Sequence, residues 1–323
     1  MKLCLLLAAA VSLLPALDYR IVSVRKIWDQ GSHNAFTDLT RFRNRWYCTF
    51  READDHVGGD GRIRILTSRD GEKWESAALL AEPGIDLRDP KFSITPDQRL
   101  MVIMGGSVYQ GTKVLKGRRP RVAFSKDGRT FTAPQAILSE GDWLWRVTWH
   151  KGTAYGVSYR IDGPTEWAAI LFKSTDGVQW TQVKDLGVPG RPNETTLRFL
   201  PNGDMVALVR RETADKQAWI GVSPSPYTEW KWHPAGVQVG GPNFIVLPDG
   251  QMIAGGRDYR EAASRKYTTA IGPMTKESFT QKLTFPSAGD NSYPGLVMQG
   301  NTLWLSYYST HEGKTSIYLA KVQ

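Results

Sequence analysis

A short turn motif, repeated along the chain, constrains the fold more than any other feature of the sequence. Three strong copies are Ser68-Arg-Asp-Gly-Glu-Lys-Trp74, Ser125-Lys-Asp-Gly-Arg-Thr-Phe131 and Ser174-Thr-Asp-Gly-Val-Gln-Trp180, whose Asp residues are 57 and 49 positions apart. Two weaker copies follow at a similar spacing, Ser225–Trp230 and Thr275–Phe279. Self-similarity at a fixed period of this size is typical of proteins built from repeated structural units.

The residue types of this motif, which we term the Asp turn, are those of a tight turn between two strands. An Asp side chain caps such a turn by accepting hydrogen bonds from backbone N–H groups two residues on, and Gly takes the positive φ that the chain needs. The aromatic residue then anchors the outgoing strand. We therefore expect the Asp turns to be structural, and the functional site to lie elsewhere.

Each repeat also contains a second turn between short apolar runs, for example Pro201-Asn-Gly203 and Pro248-Asp-Gly250. One unit thus contains four antiparallel strands, and radial repetition of such units describes a propeller. The sequence predicts an all-β, six-bladed β-propeller. Its first strands start near Asn34, Arg88, Arg146, Glu194, Asn243 and Tyr293. The last unit has room for three strands only, so Tyr19–Trp28 is expected to supply the fourth strand and to close the ring.

The first 17 residues have the one Lys, the apolar stretch and the small residues of a secretory signal peptide. Residues 18–323 are then the propeller domain of a secreted or periplasmic protein. Cys48 lies in an apolar run and is expected in the core. We expect a monomer without a membrane contact after removal of the signal, and no cofactor, because the sequence contains no glycine-rich nucleotide motif and no HExxH.

The net charge of +9 is spread along the chain rather than gathered in runs, which favours a basic cleft over a nucleic-acid surface. In an antiparallel blade, the start of the first strand and the end of the second lie on one rim. Arginines at these positions would converge on the propeller axis, in what we term the central funnel, and would repel one another unless an anion such as an acidic sugar is held there. Alternatively, each arginine pairs with a neighbouring acid such as Glu52, Glu212 or Asp258.

Three segments resemble the sialidase (neuraminidase) superfamily. Asn193–Arg210 is similar to the family segment that holds a glutamate, a turn and an arginine of the carboxylate-binding triad. Asn291-Ser-Tyr-Pro-Gly-Leu296 resembles its tyrosine-bearing strand, and Phe50–Asp60 resembles its first-blade loop with the acid/base aspartate. With the Asp turns, the resemblance covers essentially the whole chain after the signal.

The resemblance implies an exo-acting glycoside hydrolase that acts on a terminal acidic sugar, sialic acid by analogy. Glu194 would act as base toward Tyr293, which would attack the anomeric carbon, since such sialidases depart from the usual two-carboxylate scheme. Asp55 would protonate the leaving oxygen, with Asp60 and Asp54 as alternatives. The carboxylate clamp would consist of Arg210 and Arg257.

The chain departs from the family at the first blade, where Ser32–Asp38 replaces the usual Arg-Ile-Pro. The triad must then borrow Arg51, Arg88 or Arg146, or the substrate differs, and Asn34 is a further candidate for substrate binding. His33 and His56 are open candidates for a lyase-type acid/base pair or for metal ligands. The alternative functions are a non-catalytic carbohydrate-binding propeller, and a uronate-directed lyase or inverting hydrolase on the same scaffold.

Overall fold

The computed structural model describes residues 17–111, 113–163, 167–213, 215–264 and 266–323. It confirms the all-β, six-bladed propeller, in which each blade is a four-stranded antiparallel sheet. The predicted starts of the first strands lie one to four residues inside the observed ones. The predicted signal peptide, apart from Leu17, lies outside the described residues. Within the described residues, no helix has the length and apolar character that a membrane span requires.

The chain enters through a lone strand, β1 (Ile21–Trp28), and then forms the blades in order. The first blade contains β2 (His33–Phe42), β3 (Arg45–Ala53), β4 (Arg62–Ser68) and β5 (Glu75–Leu80). The second contains β6 (Asp86–Ile94), β7 (Leu100–Gln110), β8 (Val114–Ser125) and β9 (Gln135–Ala136). The third contains β10 (Trp143–His150), β11 (Thr153–Ile161), β12 (Trp167–Ser174) and β13 (Thr181–Asp185).

The remaining blades follow the same plan. The fourth contains β14 (Pro192–Phe199), β15 (Met205–Arg211), β16 (Trp219–Ser223) and β17 (Lys231–Pro234). The fifth contains β18 (Val239–Val246), β19 (Met252–Glu261), β20 (Lys266–Met274) and β21 (Leu283–Phe285), with a 3-10 turn at Ala262–Ser264. The sixth contains β22 (Asn291–Gln299), β23 (Thr302–Ser309) and β24 (Ser316–Val322).

Strand β1 completes the sixth blade, as the sequence predicts. It pairs antiparallel with β24, from Ile21 opposite Val322 to Trp28 opposite Ile317. Backbone hydrogen bonds between Arg20 and Gln323 extend this pairing at both ends of the chain. The ring is therefore closed by hydrogen bonds between two strands from opposite ends of the chain, which removes two exposed sheet edges.

The Asp turns have the predicted hydrogen bonds. Oδ1 of Asp127 accepts from the backbone N–H groups of Arg129 and Thr130, both at 2.8 Å, and Ser125 Oγ accepts from Gly128 N at 2.8 Å. The turn around Trp180 repeats this pattern. In the weaker copy at Trp230, Tyr227 takes the position of the glycine with φ 70°. The backbone geometry of the turn thus persists where its sequence does not.

Each strong Asp turn also packs against the preceding blade. A Cβ added to Gly128 would lie 2.3 Å from Oη of Tyr47, in the first blade. The same addition at Gly71 would meet Trp304 of the sixth blade, and at Gly177 it would meet Met101 of the second. The glycine therefore serves two needs, a positive φ and close contact between blades.

All six innermost strands carry a β-bulge at the same height. In each blade, two residues of the first strand lie opposite one residue of the second, which bends the strand and redirects its side chains. The bulge residues are Phe36-Thr37, Asp89-Pro90, Trp145-Arg146, Asn193-Glu194, Gly241-Pro242 and Tyr293-Pro294. Several have positive φ, including Phe36, Asp89 and Tyr293 at 66°, 49° and 54°. Strained backbone of this kind concentrates at functional sites.

Side chains next to the bulges connect neighbouring blades around the axis. Thr148 Oγ1 donates to the Leu197 carbonyl at 2.7 Å, and Thr196 Oγ1 donates to the Pro242 carbonyl at 2.7 Å. Asn243 Nδ2 donates to the Pro294 carbonyl at 2.9 Å. Thr37 Oγ1 then donates to the Tyr293 carbonyl at 2.8 Å, across the contact between the first and last blades. These bonds fix the bulges of adjacent blades relative to one another.

We expect Gly128→Ala to lower the free energy of unfolding by about 2–4 kcal/mol, because it combines a positive φ of 75° with a clash against buried Tyr47. Gly152→Ala is the matched control, because Gly152 has φ 81° but no atom within 4 Å of the added Cβ. That control should cost only about 1 kcal/mol. Urea unfolding of the two variants measures the difference, and equal losses would contradict the packing role.

Candidate active site on the propeller axis

The first residues of several bulges converge on the ring of Tyr293. The ring centroids of Phe36 and Trp145 lie 5.1 Å and 5.4 Å from it, and the ring of Tyr308 lies at 5.9 Å. A Cβ added to Gly241 would lie 2.5 Å from the Tyr293 ring, so only glycine fits there. Tyr293 is 8% exposed and packs against these three rings. The bulges therefore place its hydroxyl in the central funnel.

The hydroxyl of Tyr293 donates a short hydrogen bond to Oε1 of Glu194. The other carboxylate oxygen, Oε2, accepts from the Gly241 backbone N–H at 2.7 Å and from Arg210 Nη1 at 2.9 Å. Arg210 Nη1 also lies 3.4 Å from the Tyr293 hydroxyl. Three residues from blades four and six, predicted from sequence to act together, are thus in direct contact.

The electrostatics of this pair suit a base and a protonated nucleophile. Burial alone would raise the pKa of Glu194, but the charge of Arg210 and the hydrogen bonds from Tyr293, Arg210 and Gly241 hold it below its ordinary value. Burial, and then the negative charge of Glu194, raise the pKa of Tyr293 far above its ordinary value. At neutral pH, Glu194 is therefore ionised and Tyr293 retains its proton.

Arg210 and Arg257 flank this pair, and each also contacts an acid. Arg210 Nε lies 2.6 Å from Glu212 Oε1, so this neighbouring acid does pair with it as the alternative reading of the sequence suggested. Arg257 Nη2 lies 3.1 Å from Asp290 Oδ1 and 3.1 Å from the Tyr308 hydroxyl. Among the described residues, these contacts leave Nη2 of Arg210 and Nη1 of Arg257 without a partner. Both side chains are partly exposed and have N–H groups available to a ligand.

A second cluster joins the first blade to the last beside Arg257. His33 Nε2 and His56 Nδ1 lie 3.1 Å and 2.6 Å from the same oxygen of Asp290, Oδ2. Burial opposes ionisation, but the hydrogen bonds from both histidines and the charge of Arg257 hold the pKa of Asp290 far below its ordinary value. The three donor atoms lie within 4.8 Å of one another, a spacing that a metal ion could bridge. Arg257 on the other oxygen of Asp290 makes this a cationic surrounding, which favours a hydrogen-bonded network over a cation site.

Three of the sequence-predicted residues do not face the centre of the funnel. Two of them are buried, and the third lies at the edge of the site. Arg51 is fully buried, 2.7 Å from Asp86, and donates to two carbonyls of the loop after β3. Asn34 is also fully buried and donates to the carbonyls of Gly31 and Thr315. Asp55 is 65% exposed, with its Oδ1 accepting from the His56 backbone N–H at 2.6 Å. Arg51 and Asn34 thus hold the backbone, and Asp55 lies on the outer part of the loop.

The other two arginines lie closer to the funnel. Arg88 Nη1 donates to the His56 carbonyl at 2.9 Å, and its guanidinium lies over the Phe36 ring at 5.1 Å. Arg146 lies deeper, with Nη1 at 2.9 Å from both oxygens of Asp38. Of the three candidates to replace the missing first-strand arginine, Arg88 is therefore the one beside the cleft.

Two ionisable residues close to the pair of Tyr293 and Glu194 have no role assigned to them from the sequence, although Asp89 belongs to the predicted rim. Lys91 is 1% exposed and lies over the rings of Trp145 and Tyr293, at 4.8 Å and 5.7 Å. Asp89 has a buried oxygen, Oδ1, with no hydrogen-bond partner among the described residues, and burial raises its pKa. The signal that could have found them is the proline after each of three bulge residues, since proline inside a central strand indicates a bulge. It marks Pro90, Pro242 and Pro294 in the same phase.

This arrangement can activate an oxygen nucleophile and bind an anion beside it. Glu194 can accept the Tyr293 proton directly. The N–H groups of Arg210 and Arg257 that have no partner among the described residues can bind a carboxylate. Buried Trp145 and Lys91 lie against the Tyr293 ring.

No protein-family model matches the sequence, and none of the curated proteins matches it either. Among solved structures, a protein of unknown function from Dyadobacter fermentans has a TM-score of 0.83 at 19% identity, over 94% of this chain and 98% of that one. An α-L-arabinanase from Penicillium chrysogenum has a TM-score of 0.72 at 14% sequence identity, over 94% of this chain and 98% of that one. A Trypanosoma rangeli sialidase has a TM-score of 0.68 at 10% sequence identity, over 96% of this chain and 60% of that one. The likeness is one of fold.

We expect Lys91→Met to stabilise the protein by on the order of 3 kcal/mol at pH 7. Burial is the main cause that lowers the pKa of Lys91 to about 8, so the folded state binds this proton less readily than the unfolded state does. The advantage of the variant should be complete below pH 8 and should vanish above about pH 10.5, as the wild-type lysine loses its proton. Urea unfolding across this range measures it.

Lys126→Met, at an exposed position of an Asp turn, is the control and should change stability little at any pH. A Lys91→Met protein that is less stable than the wild type at pH 7 would show that the attraction of the nearby carboxylates exceeds the cost of burial.

Proposed function

We propose that this protein is an exo-acting glycoside hydrolase that removes a terminal acidic sugar, with sialic acid as the first candidate. The observation that carries the proposal is the hydrogen bond between Tyr293 and Glu194, with Arg210 on the far oxygen of the carboxylate. The likeness in fold to an arabinanase and a sialidase supports a glycosidase in general. The tyrosine and the arginines favour an acidic sugar over a neutral one.

In the proposed reaction, the proton of Tyr293 passes to Glu194 as the phenolic oxygen attacks the anomeric carbon. The glycosidic C–O bond breaks, and the leaving oxygen takes a proton from an acid on the loop after β3, which carries both Asp55 and His56. Water then attacks the anomeric carbon and gives one proton back to the group that protonated the leaving oxygen. The bond to Tyr293 breaks as the water oxygen bonds, and Glu194 returns its proton to the phenolate. A tyrosine suits this role because its neutral hydroxyl can approach a centre that bears a carboxylate without charge repulsion.

The first test is release of the aryl group from aryl glycosides of sialic acid, glucuronic acid and arabinofuranose. We expect release from the sialoside, with Tyr293→Phe and Glu194→Gln each losing about 10³-fold or more in kcat. Tyr307→Phe is the matched control, because Tyr307 is buried on the next strand of the same blade and donates to the Pro286 carbonyl, outside the funnel.

Each other outcome has a definite meaning. Sugar binding without release would indicate a carbohydrate-binding propeller. An unsaturated product that absorbs in the ultraviolet would indicate a lyase. Release from the arabinofuranoside alone would retain the glycosidase but reject the acidic sugar.

The second test concerns the carboxylate clamp. We expect Arg257→Ala to lower kcat/KM on the acidic glycoside by about 10- to 100-fold, the value of a charge-assisted hydrogen bond to a carboxylate. The kcat/KM of the same variant on the methyl ester of this substrate should fall much less, since the ester carries no charge for Arg257 to bind. Comparing the two substrates separates binding of the carboxylate from any disturbance of Asp290.

Arg260→Ala is the control on the same strand, because Arg260 is exposed and pairs with Asp258 away from the funnel. An equal loss on the acid and the ester in Arg257→Ala would mean that this arginine organises the site and does not bind the substrate carboxylate.

A further inference from the structure

His56 has the surroundings of a proton-transfer group. It lies on the loop after β3, and its ring makes edge contacts with Phe36 at 5.2 Å and with His33 at 5.6 Å. Phe36 in turn lies 5.1 Å from the Tyr293 ring, so one phenyl ring separates His56 from the nucleophile. The side chain is 44% exposed to solvent.

The partner of His56 fixes which nitrogen can exchange a proton. Nδ1 lies 2.6 Å from Asp290 Oδ2, and Nε2 has no hydrogen-bond partner among the described residues. A carboxylate on one ring nitrogen sets the tautomer and stabilises the protonated ring, while the other nitrogen exchanges protons with a substrate. Asp290 is held for this task by His33 on the same oxygen and by Arg257 and Tyr308 on the other.

The nearby aspartates are less suited to protonate a leaving oxygen. Asp54 and Asp60, the sequence-predicted alternatives to Asp55, are exposed, and Asp60 Oδ2 accepts from the Gly84 backbone N–H at 3.3 Å. Asp55 is 65% exposed, and the hydrogen bond from the His56 backbone N–H lowers its pKa, so it is ionised at neutral pH. One carboxylate oxygen of Asp89 is fully buried, whereas the leaving group of an exo-acting enzyme lies on the solvent side. His56 lies on that side.

We propose that His56, oriented by Asp290, is the acid/base residue of this site, an inference that rests on the proposed glycosidase function. In the first step, Nε2–H of the imidazolium gives its proton to the leaving oxygen as the glycosidic bond breaks. In the second step, the neutral ring takes a proton from water at Nε2 as the water oxygen bonds to the anomeric carbon. Each cycle returns the imidazolium. The charged or titratable groups around the ring are Asp290, His33, Arg88, Asp55 and Asp89.

The test compares two glycosides of the sugar that the first assay identifies, for sialic acid the nitrophenyl and the methyl sialoside. His56→Asn keeps an N–H in the position of Nδ1 but has no equivalent of Nε2. We expect its kcat/KM to fall by about 10²- to 10⁴-fold on the methyl glycoside, whose leaving group needs a proton. The nitrophenyl glycoside should lose far less, and added azide should speed its turnover and yield the glycosyl azide. His233→Asn, on an outer strand, is the matched control.

His56→Gly is a second variant, chosen because free imidazole in solution can occupy the space of the lost ring. Imidazole should restore turnover of the methyl glycoside in this variant and not in Tyr293→Phe. Thermal unfolding of both His56 variants, compared with the wild type, verifies that each is folded.

The outcomes separate the two proposals. A wild type that cleaves neither glycoside refutes the function and, with it, the role of His56. If the wild type is active, and the kcat/KM of His56→Asn falls equally on both substrates or does not fall, only the role of His56 is refuted. A leaving-group-dependent loss in Asp55→Asn alone would assign the acid to Asp55. Activity that is abolished by a chelator and restored by Zn²⁺ would make the cluster of His33, His56 and Asp290 a metal site, and would also overturn the proposal.

Discussion

The candidate site depends on one backbone feature, the bulge that every innermost strand carries at the same height. A regular strand would point alternate side chains into the blade interfaces, and the axis would receive few of them. In a bulge, two residues of the first strand lie opposite one residue of the second, and the chain rotates locally. Tyr293 and Glu194, which belong to different blades, therefore meet at the centre. The positive φ of Tyr293 and the missing Cβ of Gly241 are parts of the same arrangement. The surrounding blades hold this conformation through side-chain bonds to bulge carbonyls, such as that from Asn243 to Pro294.

The bulges also bring together charges that would be costly to bury singly. Glu194 is 6% exposed, and it is stabilised as an anion by Arg210 and by the N–H of a glycine that only the bulge can present. Lys91, which lies over the Tyr293 ring, carries a charge that burial disfavours. The protein thus retains polar groups in its centre at a cost in stability, which is common where a binding or catalytic site has been placed in a core.

The fold was predictable because a repeated turn is a local signal, and the site was predictable only in part. Spacing alone located the rim to which Glu194, Arg210, Arg257 and Tyr293 belong. It could not decide the direction of each side chain, because a bulge shifts the alternation of a strand by one residue. Arg51, at the same rim but on a second strand, lies buried against Asp86 instead of facing the axis. Asp290 was missed for another reason: its partners are His33 and His56, more than 230 residues earlier, and no local pattern records such a contact.

The closure of the ring by β1 and β24 determines at which stage of folding the candidate site is complete. Blade one supplies His56 and Phe36, blade six supplies Asp290 and Tyr293, and the seam between these blades forms only when the two ends of the chain meet. A chain whose ends have not yet met could hold the hydrogen bonds of the first five blades and still lack the complete constellation. Any chemistry at this seam would then begin only after the two ends of the chain have paired, and a partly folded molecule would lack the complete site.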